Sequence, residues 1–165
     1  MLLLLLLSRY ATPASNGIDI FLVGGGAGGE GGADYSPDAG KSGGNGGGGG
    51  FGAVHSAVSV NNTSYSIVIG AGGKGSTYAQ LGNPSGSKST AFGKTGSGGT
   101  GTANRAVYEF GGSTGKKYGE SGCYRCGATT YSVNTGHGGG GATPLHGGRT
   151  GATGSSGIVI IRNKR

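Results

Sequence analysis

The chain has 165 residues, of which 44 are glycine and 12% are charged, and its formal net charge is +7. This composition excludes a large conventional hydrophobic core. It also excludes long α-helices, because glycine costs about 1 kcal/mol relative to alanine in a helix interior. With four prolines and interrupted Gly-X-Y registers, the chain is not a collagen. A disordered linker is the remaining alternative to a single folded domain.

The first sixteen residues contain an uninterrupted run of leucines, with no charged side chain before Arg9. The run is short for a signal peptide, and it is much too short to cross a bilayer as a helix, so we expect no transmembrane span there. An exposed apolar run of this kind would promote aggregation. We therefore expect residues 1–16 to form a docking or assembly segment. Its apolar contacts would come from Leu2, Leu3, Leu4, Leu5, Leu6 and Leu7.

Four segments are rich in β-branched or aromatic residues and are bounded by glycine or asparagine, which predicts strands. They are Ile18–Val23, Ala53–Val60, Tyr65–Gly70 and Ile158–Arg162. Residues 61–64, with the sequence Asn-Asn-Thr-Ser, indicate a hairpin loop between the second and third strands. The first and last strands would bring together the two ends of the glycine-rich region.

Between the strands, glycine often recurs at every third residue. The clearest rows are Gly40, Gly43, Gly46, Gly49 and Gly52, and Gly148, Gly151, Gly154 and Gly157. A polyproline-II-type helix has three residues per turn, so each row would form a bare face that a neighbouring helix can approach closely. Unlike proline, glycine keeps its N–H group and can hydrogen-bond sideways. For residues 17–165 we therefore predict an all-β domain with polyglycine-II-type helices. Short strands would form a small sheet or sandwich flanking this glycine-rich helix bundle, with no long α-helix.

Several longer motifs follow one another along the chain. They are Ile18-Asp-Ile-Phe-Leu-Val-Gly-Gly-Gly-Ala-Gly-Gly, the Gly46–Gly50 run leading into Phe51-Gly-Ala-Val, Tyr65-Ser-Ile-Val-Ile-Gly-Ala-Gly-Gly-Lys-Gly, Ser89-Thr-Ala-Phe-Gly and Gly154-Ser-Ser-Gly-Ile-Val-Ile-Ile-Arg. Their order resembles that in the glycine-rich C-terminal tip domains of bacteriophage tail fibre and receptor-binding proteins. The resemblance covers roughly residues 17–162.

This resemblance implies a non-enzymatic virion component, in the phage tail or otherwise extracellular, that presents loops to a glycan or protein of the host-cell surface. We expect it to assemble with other virion subunits and to form a homo-oligomer. The leucine-rich start is not part of the family pattern and leaves an alternative open. In that alternative the chain is a structural subunit of an extracellular filament, or a virion decoration, assembled through residues 2–7.

Segments that mimic nucleotide-binding loops lack the surroundings that such loops need. The Val23–Gly29 segment follows a strand, as a dinucleotide fingerprint would, but no amphipathic helix follows it. Ala39-Gly-Lys-Ser and Phe92-Gly-Lys-Thr imitate the end of a phosphate-binding loop, yet the required first glycine is replaced by Tyr35 and Lys88. We therefore expect neither an enzymatic activity nor a cofactor.

The only two cysteines, Cys123 and Cys126, are separated by two residues. Two thiols at this spacing form half of a tetrahedral zinc site, for which His137 and His146 would be the remaining ligands. The spacing between these histidines is longer than in usual zinc sites. A local disulfide and a pair of free thiols in a tight turn are the alternatives.

Glycine becomes less frequent between residues 105 and 131, where aromatic and basic side chains concentrate. Tyrosine offers a large rigid contact surface with a polar tip, and arginine adds forked donors. We therefore expect receptor contacts from Tyr108, Lys116, Lys117, Tyr118, Tyr124, Arg125 and Tyr131. Eleven of the thirteen lysines and arginines lie after residue 73, which favours anionic partners or only solubility. Nucleic acid is an unlikely partner, because basic and aromatic residues are not interleaved in any known binding motif.

Overall fold

The computed structural model describes residues 17–32, 44–61, 64–77, 82–126, 129, 131–143 and 150–163. Their regular structure consists of short strands and one turn of 3-10 helix at Glu109–Gly111, which confirms the all-β prediction for these residues. In this part of the chain no helix is long and apolar enough to cross a membrane. The strands are β1 (Ile18–Val23), β2 (Gly52–Val58), β3 (Ile67–Val68), β4 (Ser89–Ala91), β5 (Lys94–Gly96), β6 (Val107–Tyr108), β7 (Lys117–Tyr118) and β8 (Ile158–Asn163).

Strand β1 is the centre of a three-stranded antiparallel sheet with the order β2-β1-β8. It pairs with β8 over its whole length, from Ile18 opposite Asn163 to Val23 opposite Ile158. This pairing confirms the expectation that the first and last strands bring together the two ends of the glycine-rich region. Every residue of β1 is buried, because this sheet is covered on both faces.

The predicted hairpin between β2 and β3 is wrong. Strand β3 pairs with β4 in a second antiparallel sheet, ordered β3-β4-β5, while β2 pairs with β1. The reason is that Ile67 of β3 packs on the core at the face of β1 that carries Ile20, so the chain changes layer after β2. At the start of this connection, the Tyr65 hydroxyl donates to Asn61 and accepts from the Asn61 amide. Residues 62 and 63 lie outside the described part.

Two apolar clusters sandwich β1. The first consists of buried Ile18, Ile20, Leu22 and Ala91, with Val58, Ile67, Phe92, Val159 and Ile161 packed against them. The second consists of buried Phe21, Val23 and Tyr118, with Val107, Phe110, Ile158 and Ile160 around them. Because neighbouring residues of a strand point to opposite faces, β1 serves both clusters. The second sheet covers one face, and the β6–β7 hairpin covers the other.

Beyond β1 the chain continues as residues 24–30, here called the central segment, which lies among six other glycine-rich segments. Its amides donate to the carbonyls of three of these segments: Gly24 to Phe51, Ala27 to Gly48, Glu30 to Asn45, Gly25 to Ser87, Gly28 to Pro84, Gly26 to Ser155 and Gly29 to Ala152. Its carbonyls accept from amides of the other three: Gly73 and Ser76, Gly99, and Gly139 and Ala142. Each run of donors to one neighbour advances by three residues. Backbone hydrogen bonds therefore hold together a body that contains few large side chains.

Most of these glycines are required by close approach of another backbone. A Cβ atom at Gly26, Gly29 or Gly32 would lie within 3.0 Å of the carbonyl oxygen of a residue in 137–143. The contacted residues are His137, Gly140 and Thr143, so the contact also advances by three on the neighbouring segment. A side chain would have no space at these positions, although their backbone angles suit any residue.

Candidate functional site

The two cysteines form a disulfide, with their Cα atoms 5.8 Å apart. This bond favours the disulfide alternative over a zinc site. Among the described residues, no group of three histidine, cysteine or acidic side chains could hold a metal ion. His146, the fourth ligand in the zinc hypothesis, lies outside the described residues. We call residues 123–126 the disulfide loop.

The disulfide loop presents Tyr124 and Arg125 at the surface. Tyr124 is 56% exposed, and the guanidinium carbon of Arg125 lies 4.7 Å from the centre of its ring. Arg125 has a φ of 54°, a left-handed conformation that costs a non-glycine residue on the order of 1–3 kcal/mol. Such conformations persist only where the surrounding structure enforces them, and they concentrate at functional sites. Here Arg125 lies inside the ring that the disulfide closes.

The loop is fixed to the glycine-rich body by backbone hydrogen bonds. The Arg125 amide donates to the carbonyl of Gly44 at 3.3 Å, and the Gly141 amide donates to the carbonyl of Cys123 at 2.9 Å. The hydroxyl of Tyr131 also contacts the Cys123 sulfur, at 3.2 Å. The tyrosine–arginine pair therefore stands on a rigid base.

His137 connects the base of the disulfide loop to strand β7. Its ring stacks on that of Tyr131, with the centroids 5.7 Å apart. Its Nδ1 lies 3.5 Å from a carboxylate oxygen of Glu120, and its Nε2 lies 3.3 Å from the carbonyl oxygen of Lys117. The Lys117 ammonium lies 3.6 Å from the other Glu120 oxygen. Tyr131 and Lys117 are therefore parts of one polar cluster.

The β6–β7 hairpin holds four of the predicted contact residues, namely Tyr108, Lys116, Lys117 and Tyr118. Tyr108 and Lys117 are directly opposite each other, and the Lys117 ammonium lies 5.8 Å from the Tyr108 ring. Lys116 is exposed, with its ammonium 5.3 Å from the ring of Tyr118. Exposed cation–π pairs of this kind contribute about 0.5–1 kcal/mol.

The expectation that Tyr118 touches a receptor needs correction, because this side chain is only 2% exposed. Its ring packs edge-on against Phe21, at 5.3 Å between centroids, and its hydroxyl donates to Glu109. Burial, followed by the hydrogen bond to Glu109, raises the pKa of Tyr118 to about 12. The alternation along β7 explains the position, because Lys117 points outwards and Tyr118 must then point inwards.

The structure thus places the predicted contact residues in four different settings. Tyr124 and Arg125 are exposed in the disulfide loop, Tyr131 lies at its base, Tyr108, Lys116 and Lys117 lie in the hairpin, and Tyr118 is in the core. Leu2, Leu3, Leu4, Leu5, Leu6 and Leu7 lie outside the described residues. Sequence reasoning missed Glu120 and considered His137 only as a zinc ligand. The spacing of Lys117 and Glu120 was no signal, because a separation of three residues brings side chains together on a helix and Lys117 lies in a strand.

No protein-family model matches the chain, and no curated protein sequence matches it significantly.

Proposed function

We propose that this protein is a non-enzymatic attachment protein, a phage tail fibre or tip component in which the disulfide loop contacts the host-cell surface. The observation that carries the proposal is the exposed Tyr124–Arg125 pair, held in a strained conformation on a hydrogen-bonded base. Tyrosine and arginine are enriched among the residues that dominate binding energies. A loop fixed before binding loses little conformational entropy when the ligand arrives.

The same proposal gives the glycine-rich body its role as a scaffold built from polyglycine-II-type helices. In such a helix every third residue faces the same neighbour. The three-residue advance of the hydrogen bonds and of the close Cβ approaches supports this arrangement. Buried backbone groups must be paired, and lateral bonds between neighbouring helices would pair them without a large apolar core.

The disulfide supports a location in the virion tail or elsewhere outside the cell, since such bonds persist in oxidising surroundings. The partner would be a glycan or protein of the cell surface, and homo-oligomerisation would multiply the number of contacts. Several copies on one virion raise the overall avidity without any new type of contact.

The direct test is binding of the purified, labelled protein to a panel of bacterial envelope fractions, with Gram-negative outer membranes and Gram-positive walls tested separately. We expect at least one fraction to bind. We expect Tyr124→Ala and Arg125→Ala each to weaken that binding by about tenfold or more. Lys94→Ala is the matched control, because Lys94 is exposed on β5 and belongs to neither the disulfide loop nor the β6–β7 hairpin. Failure to bind any fraction contradicts the proposal.

A second candidate is a structural subunit of a filament or virion decoration, assembled through residues 2–7. Exposed apolar side chains on and after β2 and on β3 favour it, because Val54, Val60 and Val68 are each more than 40% exposed. Deleting residues 1–9 separates the two functions. A filament subunit would stop polymerising, whereas an attachment protein would still bind cells.

A further inference from the structure

Arg105 lies just before the β6–β7 hairpin and outside the disulfide loop. Its amide donates to the carbonyl of Gly119 at 3.0 Å, which fixes its backbone to the segment after β7. Its guanidinium carbon lies 3.5 Å from the centre of the Phe51 ring, a close stacking distance. Phe51 itself is 41% exposed, so this stacked pair reaches the surface.

The hydrogen-bonding capacity of the Arg105 side chain is not used by the described residues. Its Nε is buried with no hydrogen-bond partner, while the residue as a whole is only partly buried. A guanidinium carries five donors and stays charged at every relevant pH. Buried unpaired donors are rare in native proteins and usually have a specific explanation.

The described carboxylates are occupied elsewhere. They are Asp19 with Arg162, Glu30 with Asn45, Glu109 with Tyr118, and Glu120 with Lys117 and His137. Glu120 lies nearest in the hairpin register, yet its two oxygens face Lys117 and His137. Within the described part of the chain, no carboxylate therefore forms an ion pair with Arg105.

We propose that Arg105 and Phe51 form a binding site for an acidic carbohydrate. The terminal nitrogens of the stacked guanidinium would donate to the oxygens of a carboxylate or phosphate group on the sugar. Two parallel donors match such an oxyanion better than a single point charge does. Stacking on Phe51 fixes the plane of the guanidinium before binding, which lowers the entropic cost.

A carbohydrate fits this site better than nucleic acid does. Nucleic-acid binding depends on neutralising many phosphates along a backbone, whereas this site offers a single guanidinium. The exposed part of the Phe51 ring instead suits the apolar face of a sugar ring beside its acidic group. The site shares no residue with the disulfide loop, so this proposal can be tested independently of the attachment function proposed above.

The test is an NMR titration of the full-length protein that follows the Nε–Hε signals of its arginines. The probes are a glucuronate oligosaccharide, inorganic phosphate, a neutral glucan oligosaccharide and an acidic peptide. We expect the Arg105 signal to move with the glucuronate oligosaccharide, and an additional response to inorganic phosphate would show that the site also accepts phosphate groups. The Arg162 signal should stay in place, because Asp19 already binds that side chain at 3.1 Å.

Variants complete the test. Arg105→Lys keeps the charge but removes the two parallel donors of the guanidinium, and Phe51→Leu removes the aromatic ring on which it stacks. We expect each to weaken the oligosaccharide affinity about tenfold, while Lys94→Ala leaves it unchanged. Amide spectra establish that each variant is folded, and if one variant does not fold the other still decides. The proposal would be overturned by an Arg105 signal that does not move with glucuronate, by an equal response to the neutral glucan, or by a response to the peptide or inorganic phosphate alone. Wild-type affinity in a folded variant would overturn it as well.

Discussion

Glycine fulfils two different physical requirements in this chain. At Gly93, in the two-residue turn between β4 and β5, φ is +70° and no atom lies within 4 Å of a would-be Cβ. The requirement there is conformational, as in other tight hairpin turns. At Gly49 φ is not positive, but a Cβ would lie within 3.0 Å of the Gly119 carbonyl oxygen. The requirement there is space for a neighbouring backbone.

This distinction predicts a large effect of a single methyl group. Gly49→Ala should lower the free energy of unfolding by about 3 kcal/mol or more, because neither backbone can move without breaking hydrogen bonds. Gly112→Ala is the control. It has a φ of −63°, and its Cβ would lie 3.3 Å from the nearest oxygen. We expect a change within about 0.5 kcal/mol for it. Urea unfolding measures both, and equal effects would argue against backbone packing at Gly49.

Tyr118 makes stability depend on pH in the alkaline range. Its pKa in the folded state is about 12, above the usual 10, so the folded protein keeps the proton longer than the unfolded chain does. The resulting stabilisation is complete below pH 10 and is lost as the pH rises towards 12. When the pH is raised from 9 to 11.5, the free energy of unfolding should fall by about 2 kcal/mol more in the wild type than in Tyr118→Phe. Urea titrations monitored by circular dichroism measure this, and parallel losses in the two proteins would contradict the assignment.

At the scale of elements, the strands were predictable where side chains carry the information. The sequence of β1, Ile-Asp-Ile-Phe-Leu-Val, is apolar on both faces and predicts a doubly buried strand. The pairing of β2 with β1 and of β3 with β4 was not predictable, because nearness in sequence favoured a β2–β3 hairpin over a change of layer. The acidic residue inside β1 also has no explanation from sequence alone. Its partner, Arg162, is 143 residues away.

The pair formed by Asp19 and Arg162 therefore ties β1 to β8. The Asp19 side chain is only 4% exposed and accepts from the Arg162 guanidinium and from the Ala57 amide. Arg162→Ala should lower the unfolding free energy by about 2 kcal/mol, because it removes charged donors from a buried carboxylate. A double-mutant cycle with Asp19→Asn measures the coupling, with Lys94→Ala as the exposed control. Additive effects of the two substitutions would show that the pair does not couple these strands.

For the molecule as a whole, the sequence predicted a glycine-rich body but could not predict which segments are neighbours. A backbone without side chains has the same donors and acceptors at every position, so it does not determine which segment becomes its neighbour. A few side chains that bond to particular segments determine which segments are neighbours. Glu30 accepts from the amide and side chain of Asn45 and from the amide of Gly82, and the Ser76 hydroxyl donates to Gly82. For a related reason, the sequence could not show that Tyr118 is buried while other predicted contact residues are exposed. Composition does not show which side of a short strand faces inwards.

The central segment should consequently be the last part of the protein to open. Each amide from Gly24 to Glu30 donates to another segment, and Gly24–Gly29 are all buried, so none can be released without separating several segments together. The β6–β7 hairpin, in contrast, is held by only two residue pairs. In native-state hydrogen exchange we expect the amides of Gly26 and Gly29 to exchange only through global unfolding, with the full denaturant dependence of that transition. The amide of Tyr108 should exchange through a local opening that depends little on denaturant. Exchange of Gly26 by such a local route would mean that the segments open one at a time, and the rigid base inferred for the disulfide loop would then be lost.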